Sequence, residues 1–348
     1  MLSLYIPLGV LVLSSLVVLS SIATKFFVLQ AAWAFLGLLV IYLFSVIDWR
    51  IFLNFRGLVN GLYGITIILL IVVAITSPLI RNTRSWLIVG PLTFQPVELA
   101  KISLILIYAR YFSRRHIGIA HLKHVIVSFL YFALPAVLVL RQPDLGSTLV
   151  LFGVWIGFLV VSGLPLRRIL AGLGLLIVGG ALLWSFGLKT YQRDRIVGVF
   201  YPDRDVLGVN YSVHQAKIAI GSGGFLGKGY KQGSQTQLGF LTEPEGDFII
   251  AALAEEWGFL GIIIVLGAYL FLMIQILRIG VNAEHNFEKF ICLGAVIVFA
   301  AHFFLNTGST TGLSPVVGVT FPFLSYGGSS LLTNMTLIAI INAIGRNT

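Results

Sequence analysis

Charge is scarce in this chain. Only 10% of its 348 residues are Asp, Glu, Lys or Arg, and the acidic ones number 13. Soluble domains carry about a quarter charged residues, so a water-facing globule is excluded. There is one cysteine, Cys292, inside an apolar stretch, which excludes a disulfide and a cysteine metal site. No HExxH and no His/Cys cluster points to a catalytic metal. Low-complexity segments and repeats are lacking as well. The apolar runs do not alternate with polar residues, which removes the β-barrel reading. The first run has no basic flank and no small-residue cleavage site, so it is expected to be a span and not a signal peptide.

What remains is apolar length. Hydrophobic residues make up 58% of the chain, and ten runs stand out, near 4–21, 27–47, 58–79, 95–112, 123–140, 146–164, 169–187, 248–277, 289–307 and 322–345. Most reach the roughly 17–25 residues that cross a bilayer as a helix. The fourth is the least regular, because it carries Glu98 and Lys101. The expected fold is an all-α polytopic membrane protein of about ten helices, one domain over 1–348, with no linker to divide it. Lys and Arg cluster in one set of short loops, among them Arg50, Arg56, Arg110, Arg114, Arg167 and Arg168. The positive-inside rule makes that set cytoplasmic and puts both termini there. A long loop, 188–247, then lies outside between the seventh and eighth helices and is expected to hold short helices, since a structureless loop of that length is unusual.

The net charge is +10. About half of the basic residues are the anchors of the short loops. The excess in the long loop, including Arg193, Arg195, Arg204, Lys217, Lys228 and Lys231, suits either anionic lipid headgroups or a phosphate, which Arg grips through forked hydrogen bonds. No aromatic–basic pattern suggests nucleic acid. Gly221 to Gly229 look like a nucleotide loop but fail the pattern: Ser222 stands where a P-loop needs its first glycine, and Gly229 where it needs Ser or Thr. Asp203 and Asp205 form a DxD, a weak metal signal that a turn after Pro202 explains equally well.

Most of the unusual chemistry falls on the outward side. Arg84, Ser85 and Trp86 precede the fourth run, which opens with Gln95, Glu98 and Lys101. Arg141 to Thr148, with Asp144, join the fifth and sixth. Asp247 closes the long loop, Asn306 ends the ninth run, and Phe321 to Ser330, with Ser325, start the tenth. Glu98 and Lys101 share a helix face and can pair; they read as a structural ion pair, a cavity wall, or both. Asp247 follows Gly246 at the start of an apolar helix. It reads either as an N-cap, which Asp favours, or as a functional carboxylate kept ionised by a wet, basic surrounding. Glu243 and Glu245 are expected to be solvated. Of Glu255 and Glu256, at least one must face protein or water. His302 reads as a buried, satisfied histidine.

Six segments, taken together and in order, resemble the SEDS (shape, elongation, division and sporulation) family of bacterial cell-wall polymerases: RSWLIVGPLTFQPVELAKI, RQPDLGSTL, YQRDRI, YSVHQAKIAIGSGGFLGKGY, FLTEPEGDFIIAALAEEWG and GVTFPFLSYGGSSLL. They span about Arg84 to Ser330. KQGSQTQLGFL is similar to the elongation (RodA-like) branch more than to the division (FtsW-like) branch. The resemblance implies a ten-helix peptidoglycan glycosyltransferase of the bacterial cytoplasmic membrane that polymerises lipid II into a glycan strand. It places the general base on Asp247 and cavity residues on Glu98 and Lys101. Trp86, Gln95, Asp144 and Ser325 join the expected cavity, and Arg193, Arg195 and Lys217 the pyrophosphate contacts. A divalent cation (Mg or Mn) at the pyrophosphate and a class B penicillin-binding protein transpeptidase as partner are further expectations. A precursor flippase or a transpeptidase scaffold are the alternatives. The family's usual Pro-Glu-x-His-Thr-Asp reads Thr242, Glu243, Pro244, Glu245, Gly246, Asp247 here, so roles of its proline, histidine and threonine do not carry over. A family serine before Lys217 is Ala216.

Overall fold

A computed structural model describes residues 2–47, 56–79, 83–89, 92–114, 122–165, 190–202 and 210–346, with isolated residues between 167 and 208. In chain order the elements are α1 (Leu2–Ile22), α2 (Thr24–Val46), α3 (Arg56–Thr76), β1 (Leu87–Val89), β2 (Leu92–Phe94), α4 (Pro96–Ser113), α5 (Leu122–Arg141) and α6 (Leu145–Val161). They continue with α7 (Thr190–Phe200), α8 (Tyr211–Gly223), α9 (Ser234–Gln237), α10 (Ile249–Asn282), α11 (Asn286–Thr311) and α12 (Gly328–Gly345).

Among the described residues, seven helices are long and apolar enough to cross a membrane: α1, α2, α3, α5, α10, α11 and α12. Two more expected runs form α4 and α6, one charged and one of 17 residues. The seventh expected run, 169–187, lies mostly outside the described residues, and Asp203 and Arg204 lie outside them. The chain is a multi-pass membrane protein. Its helices turn large apolar side chains outward, with Phe35 at 69%, Ile75 at 75% and Val281 at 74% exposure. Water would not tolerate so continuous an apolar surface; lipid covers it.

The core runs along α4 and α12. Nearly every side chain from Pro96 to Phe112 is buried, and α12 is buried along most of its length. Phe112 stacks on Phe158 of α6, centroids 5.7 Å apart, and Phe158 on Phe290 of α11. With no water at that depth, hydroxyls need internal partners: Tyr108 Oη donates to Ser128 O at 2.7 Å.

Two features depart from the sequence reading. Strands β1 and β2 form a small antiparallel hairpin, Leu87 opposite Phe94, inside a chain expected to be all helical; three-residue strands are too short to carry a period. And the 248–277 run is not one rod, because α10 is broken at Gly258 (φ 65, ψ −165). In an unbroken helix the amides of Phe259 and Leu260 would donate to the carbonyls of Glu255 and Glu256. Here the glycine-rich loop after α8 intercepts both halves. Lys228 N and Gly229 N donate to Glu255 O and Glu256 O at 2.9 and 3.0 Å, while Phe259 N and Leu260 N donate to Gly224 O and Phe225 O at 2.9 and 3.1 Å. These four backbone groups, which the break frees from the helix, thus all find partners in the loop. A Cβ at Gly227 or Gly258 would collide with this splice, so these glycines serve close backbone approach.

Candidate active site

The break turns Ile249 to Trp257 into a separate short helix at the loop-rich end of the bundle, and Asp247 stands just before it. The residue at the cap position is Phe248, with no side-chain capping bond. Asp247, expected at the N-cap, thus stands one residue before the cap position. The backbone around it is held unusually firmly. Tyr326 N donates to Glu245 O at 2.8 Å, Ser325 Oγ to Gly246 O at 2.7 Å, and Asn306 Nδ2 to Asp247 O at 3.0 Å. Thr310 Oγ1 also reaches Asp247 O, at 3.3 Å. Three consecutive carbonyls are thus pinned by α11 and by the segment leading into α12. Glu243, at φ 47, makes the sharp turn, and its carbonyl accepts from Gly246 N and Phe248 N. The Asp247 side chain itself is half-buried and lies beside Gly318.

The far end of the short helix is anchored by the two glutamates. Glu255 is fully buried and accepts from Lys228 Nζ and Gln235 N (both 2.8 Å), Thr236 Oγ1 (2.9 Å) and Thr236 N (3.0 Å). Glu256 Oε1 accepts from Ser21 Oγ of α1 at 2.6 Å and from Gln237 Nε2 at 3.0 Å. Both face protein, where the sequence required only one to do so.

Glu98 and Lys101 pair at 2.8 Å, both side chains buried. The sequence reading missed their third member: Lys101 Nζ lies 2.9 Å from His302 Nε2, and His302 Nδ1 lies 2.9 Å from Thr320 O. His302 and Asn306 sit four apart on α11, one face of one helix, and two polar side chains in an apolar run were a readable signal. Their backbone partners on the 318–320 loop had none.

The other expected cavity residues are built into the frame. Asp144 caps α6, accepting from Ser147 N at 2.9 Å, Ser147 Oγ at 2.7 Å and Gln95 Nε2 at 3.0 Å. Burial pushes its carboxyl above the ordinary range, opposed by those hydrogen bonds and the Lys101 ammonium. Ser325 Oγ, besides holding Gly246 O, accepts from Phe321 N. Trp86 exchanges backbone bonds with the Ser77 hydroxyl and is half-buried.

Of the basic set, Arg195 and Lys217 come together. They line a half-open cleft of about 140 Å³ with Asn210, His214, Ser314 and Val316. Arg195 Nη1 donates to Val316 O at 3.0 Å. The Lys217 ammonium lies against Gly312, the left-handed residue that ends α11. Arg193 does not line this cleft; its Nη2 reaches Ser185 O at 3.4 Å. The loop Gly312 to Thr320 borders the cleft at one end and Asp247 at the other. The cleft has room for a small anionic group, less than the several hundred Å³ a whole lipid-linked sugar would fill. Among the described residues no group of three or more His, Cys, Asp or Glu could hold a metal ion.

The model of the cell cycle protein family FtsW/RodA/SpoVE matches residues 1–348. Peptidoglycan glycosyltransferase MrdB of Escherichia coli K12 is 38% identical over 311 residues, 89% of this chain and 82% of that protein. A probable peptidoglycan glycosyltransferase FtsW of Haemophilus influenzae is 35% identical over 79% of this chain and 70% of its own length. Among solved structures, a chain of a peptidoglycan synthase complex that coordinates polymerisation and crosslinking aligns with a TM-score of 0.86 at 29% identity, covering 100% of this chain and 98% of its own. The crystal structure of the Thermus thermophilus rod shape determining protein RodA gives 0.74 at 28% identity, covering 99% and 96%.

Proposed function

This chain belongs to the FtsW/RodA/SpoVE family of cell cycle proteins, and on that footing we propose that it is the peptidoglycan glycosyltransferase of cell elongation, with Asp247 as its general base. The membrane is the bacterial cytoplasmic membrane, with both termini inside and the loop-rich end outside, so that lipid II is polymerised at the outer face. The identity with MrdB, at 38% against 35% for the FtsW relative, supports the elongation branch.

The observation that carries the assignment is the way Asp247 is presented. Its own carbonyl and the two before it are fixed by Asn306, Ser325 and Tyr326, while the residue itself precedes the helix and is only half-buried. A rigid backbone with an accessible carboxylate is what proton transfer in a fixed geometry requires. The donor's sugar already sits on a diphosphate, a good leaving group, so one base suffices where glycosidases need two carboxylates. Asp247 takes the proton of the acceptor sugar's hydroxyl. That oxygen bonds to the donor's anomeric carbon as the bond to the diphosphate breaks, and the lipid diphosphate departs with its electron pair. Arg195 and Lys217 in the cleft stabilise its charge; Arg193, outside the cleft lining, is left without that role.

A Mg²⁺ or Mn²⁺ on the diphosphate would supply further charge neutralisation. Such ions are held by one or two protein carboxylates beside substrate phosphates; Glu243 and Glu245 would be the carboxylates for that, leaving Asp247 to act as base. The resemblance to a chain of a synthase complex supports a class B penicillin-binding protein transpeptidase as partner.

The test is Asp247→Asn, nearly isosteric. The purified variant is expected to fold, to bind lipid II, and to lose polymerisation on a gel assay by at least the roughly 10²–10⁴-fold that general-base assistance contributes. Polymerisation at the wild-type rate would remove Asp247 from the role.

A further inference from the structure

The Glu98–Lys101 pair and Asp247 are usually separable facts: one is buried among helices, the other at the rim. A continuous set of contacts joins them here, and His302 is its middle. Lys101 Nζ, almost fully buried, has Glu98 Oε2 at 2.8 Å and His302 Nε2 at 2.9 Å. An ammonium has only donors, so His302 Nε2 must be the bare nitrogen and the ring neutral. The proton is then on Nδ1, which donates to Thr320 O at 2.9 Å. One turn further along α11, Asn306 Nδ2 donates to Val319 O at 2.8 Å and to Asp247 O at 3.0 Å. Two successive turns of one helix therefore hold two successive carbonyls of the 318–320 loop, and the second also holds the proposed base's own backbone. Gly318 opens that loop at φ 73, and the Asp247 carboxyl lies beside it.

We propose that His302 is a positioning residue for glycan polymerisation: set in one tautomer by Lys101, it fixes the 318–320 backbone that forms the wall beside the Asp247 carboxylate. This rests on the reading of Asp247 as base. The lysine acts here as a donor that decides which ring nitrogen faces the loop. Without the imidazole, Thr320 O loses that donor, and the loop keeps the bond from Asn306 to Val319 O and that between the Thr320 and Ser330 hydroxyls. A misplacement of about 1 Å beside a reacting group costs up to 10²-fold in rate. The loss falls on kcat, since the residues that would grip the diphosphate, Arg195 and Lys217, lie at the other end of the loop.

The experiment compares purified wild type, His302→Leu, His302→Gln and Asp247→Asn in lipid II polymerisation, with a thermal melt of each. His302→Leu forms neither contact; it is expected to lower kcat by about 10²-fold with KM within about twofold. His302→Gln can accept from Lys101 through its carbonyl and donate to Thr320 O through its amide, and is expected to recover kcat to within about fivefold of wild type. A folded leucine variant with wild-type kcat, or one whose KM rises while kcat holds, overturns the proposal. If the leucine variant does not fold, the glutamine variant decides: a folded protein with kcat down 10²-fold overturns the proposal, because the two hydrogen bonds would then not be what matters. Asp247→Asn separates the two readings. If it polymerises normally, the base assignment fails whatever His302 does; if it is inactive while folded His302→Leu is normal, only the present proposal fails.

Discussion

At the scale of single residues, position in the membrane decides what each charge can be. Glu98 and Lys101 are affordable inside the bundle only together, at 2.8 Å, with His302 completing the ammonium's surroundings. Removing one partner of a buried pair leaves the other charge uncompensated, which costs about 3–5 kcal/mol, whereas replacing both by apolar side chains is often close to neutral. Glu98→Gln is therefore expected to lower the melting temperature in detergent sharply, and Glu98→Gln with Lys101→Met to regain at least half of that loss. A single substitution that melts like wild type would mean that the pair is not what holds α4 in place. The sequence made this pair legible through its spacing of three. It gave His302 as buried and satisfied, as it is, but not by what: Lys101 is distant in the chain and the other partner is a backbone carbonyl.

At the scale of elements, the break in α10 is the structural event on which the site depends. A continuous helix from Ile249 to Asn282 would carry Asp247 on the end of a long rod. The break at Gly258 lets a nine-residue helix stand apart, held at one end by Glu255 and Glu256 and at the other by Asn306 and Ser325. Gly258→Ala is expected to destabilise the protein by about 1–3 kcal/mol, since φ 65 with ψ −165 is a region that only glycine occupies at ease, and its Cβ would meet the Phe225 carbonyl as well. Polymerisation should fall with it. A thermal melt and a gel assay check both, and an alanine variant with unchanged stability would mean that the break is not strained against side chains. The hydrophobic run did not single out the break, because Gly258 is one of three glycines in it and the cause, the loop Gly224 to Gly229, lies about thirty residues upstream.

At the scale of the whole molecule, apolar helices face lipid, and under the proposed function a lipid-anchored substrate would bring its head group to the site and leave its tails in the bilayer. The cleft with Arg195 and Lys217 is the basic feature of that site, facing the Asp247 segment across the loop Gly312 to Thr320. Charge-assisted hydrogen bonds are worth about 1.5–3 kcal/mol each, so Arg195→Ala and Lys217→Ala are each expected to weaken use of lipid II by about tenfold or more, and Arg193→Ala to change it far less. Kinetics on purified variants decide this; equal losses at all three positions would place the diphosphate elsewhere.

Sequence alone determined the solvent this protein lives in, the rough limits of most of the described spans, the family, and the carboxylate on which the chemistry is proposed to turn. These rest on local composition and on motif order, and each can be read without knowing what touches what. Tertiary structure decided the rest: that the backbone of Asp247 is pinned by α11 and the segment before α12, that Asp144 and Ser325 spend their polar atoms on the frame, that Arg195 and Lys217 meet while Arg193 does not, and that His302 links the buried ion pair to the loop beside the base. The reason is physical. Those roles are set by which backbone carbonyls and amides arrive opposite each side chain, and every residue carries the same carbonyl, so the sequence holds no mark of where it will point.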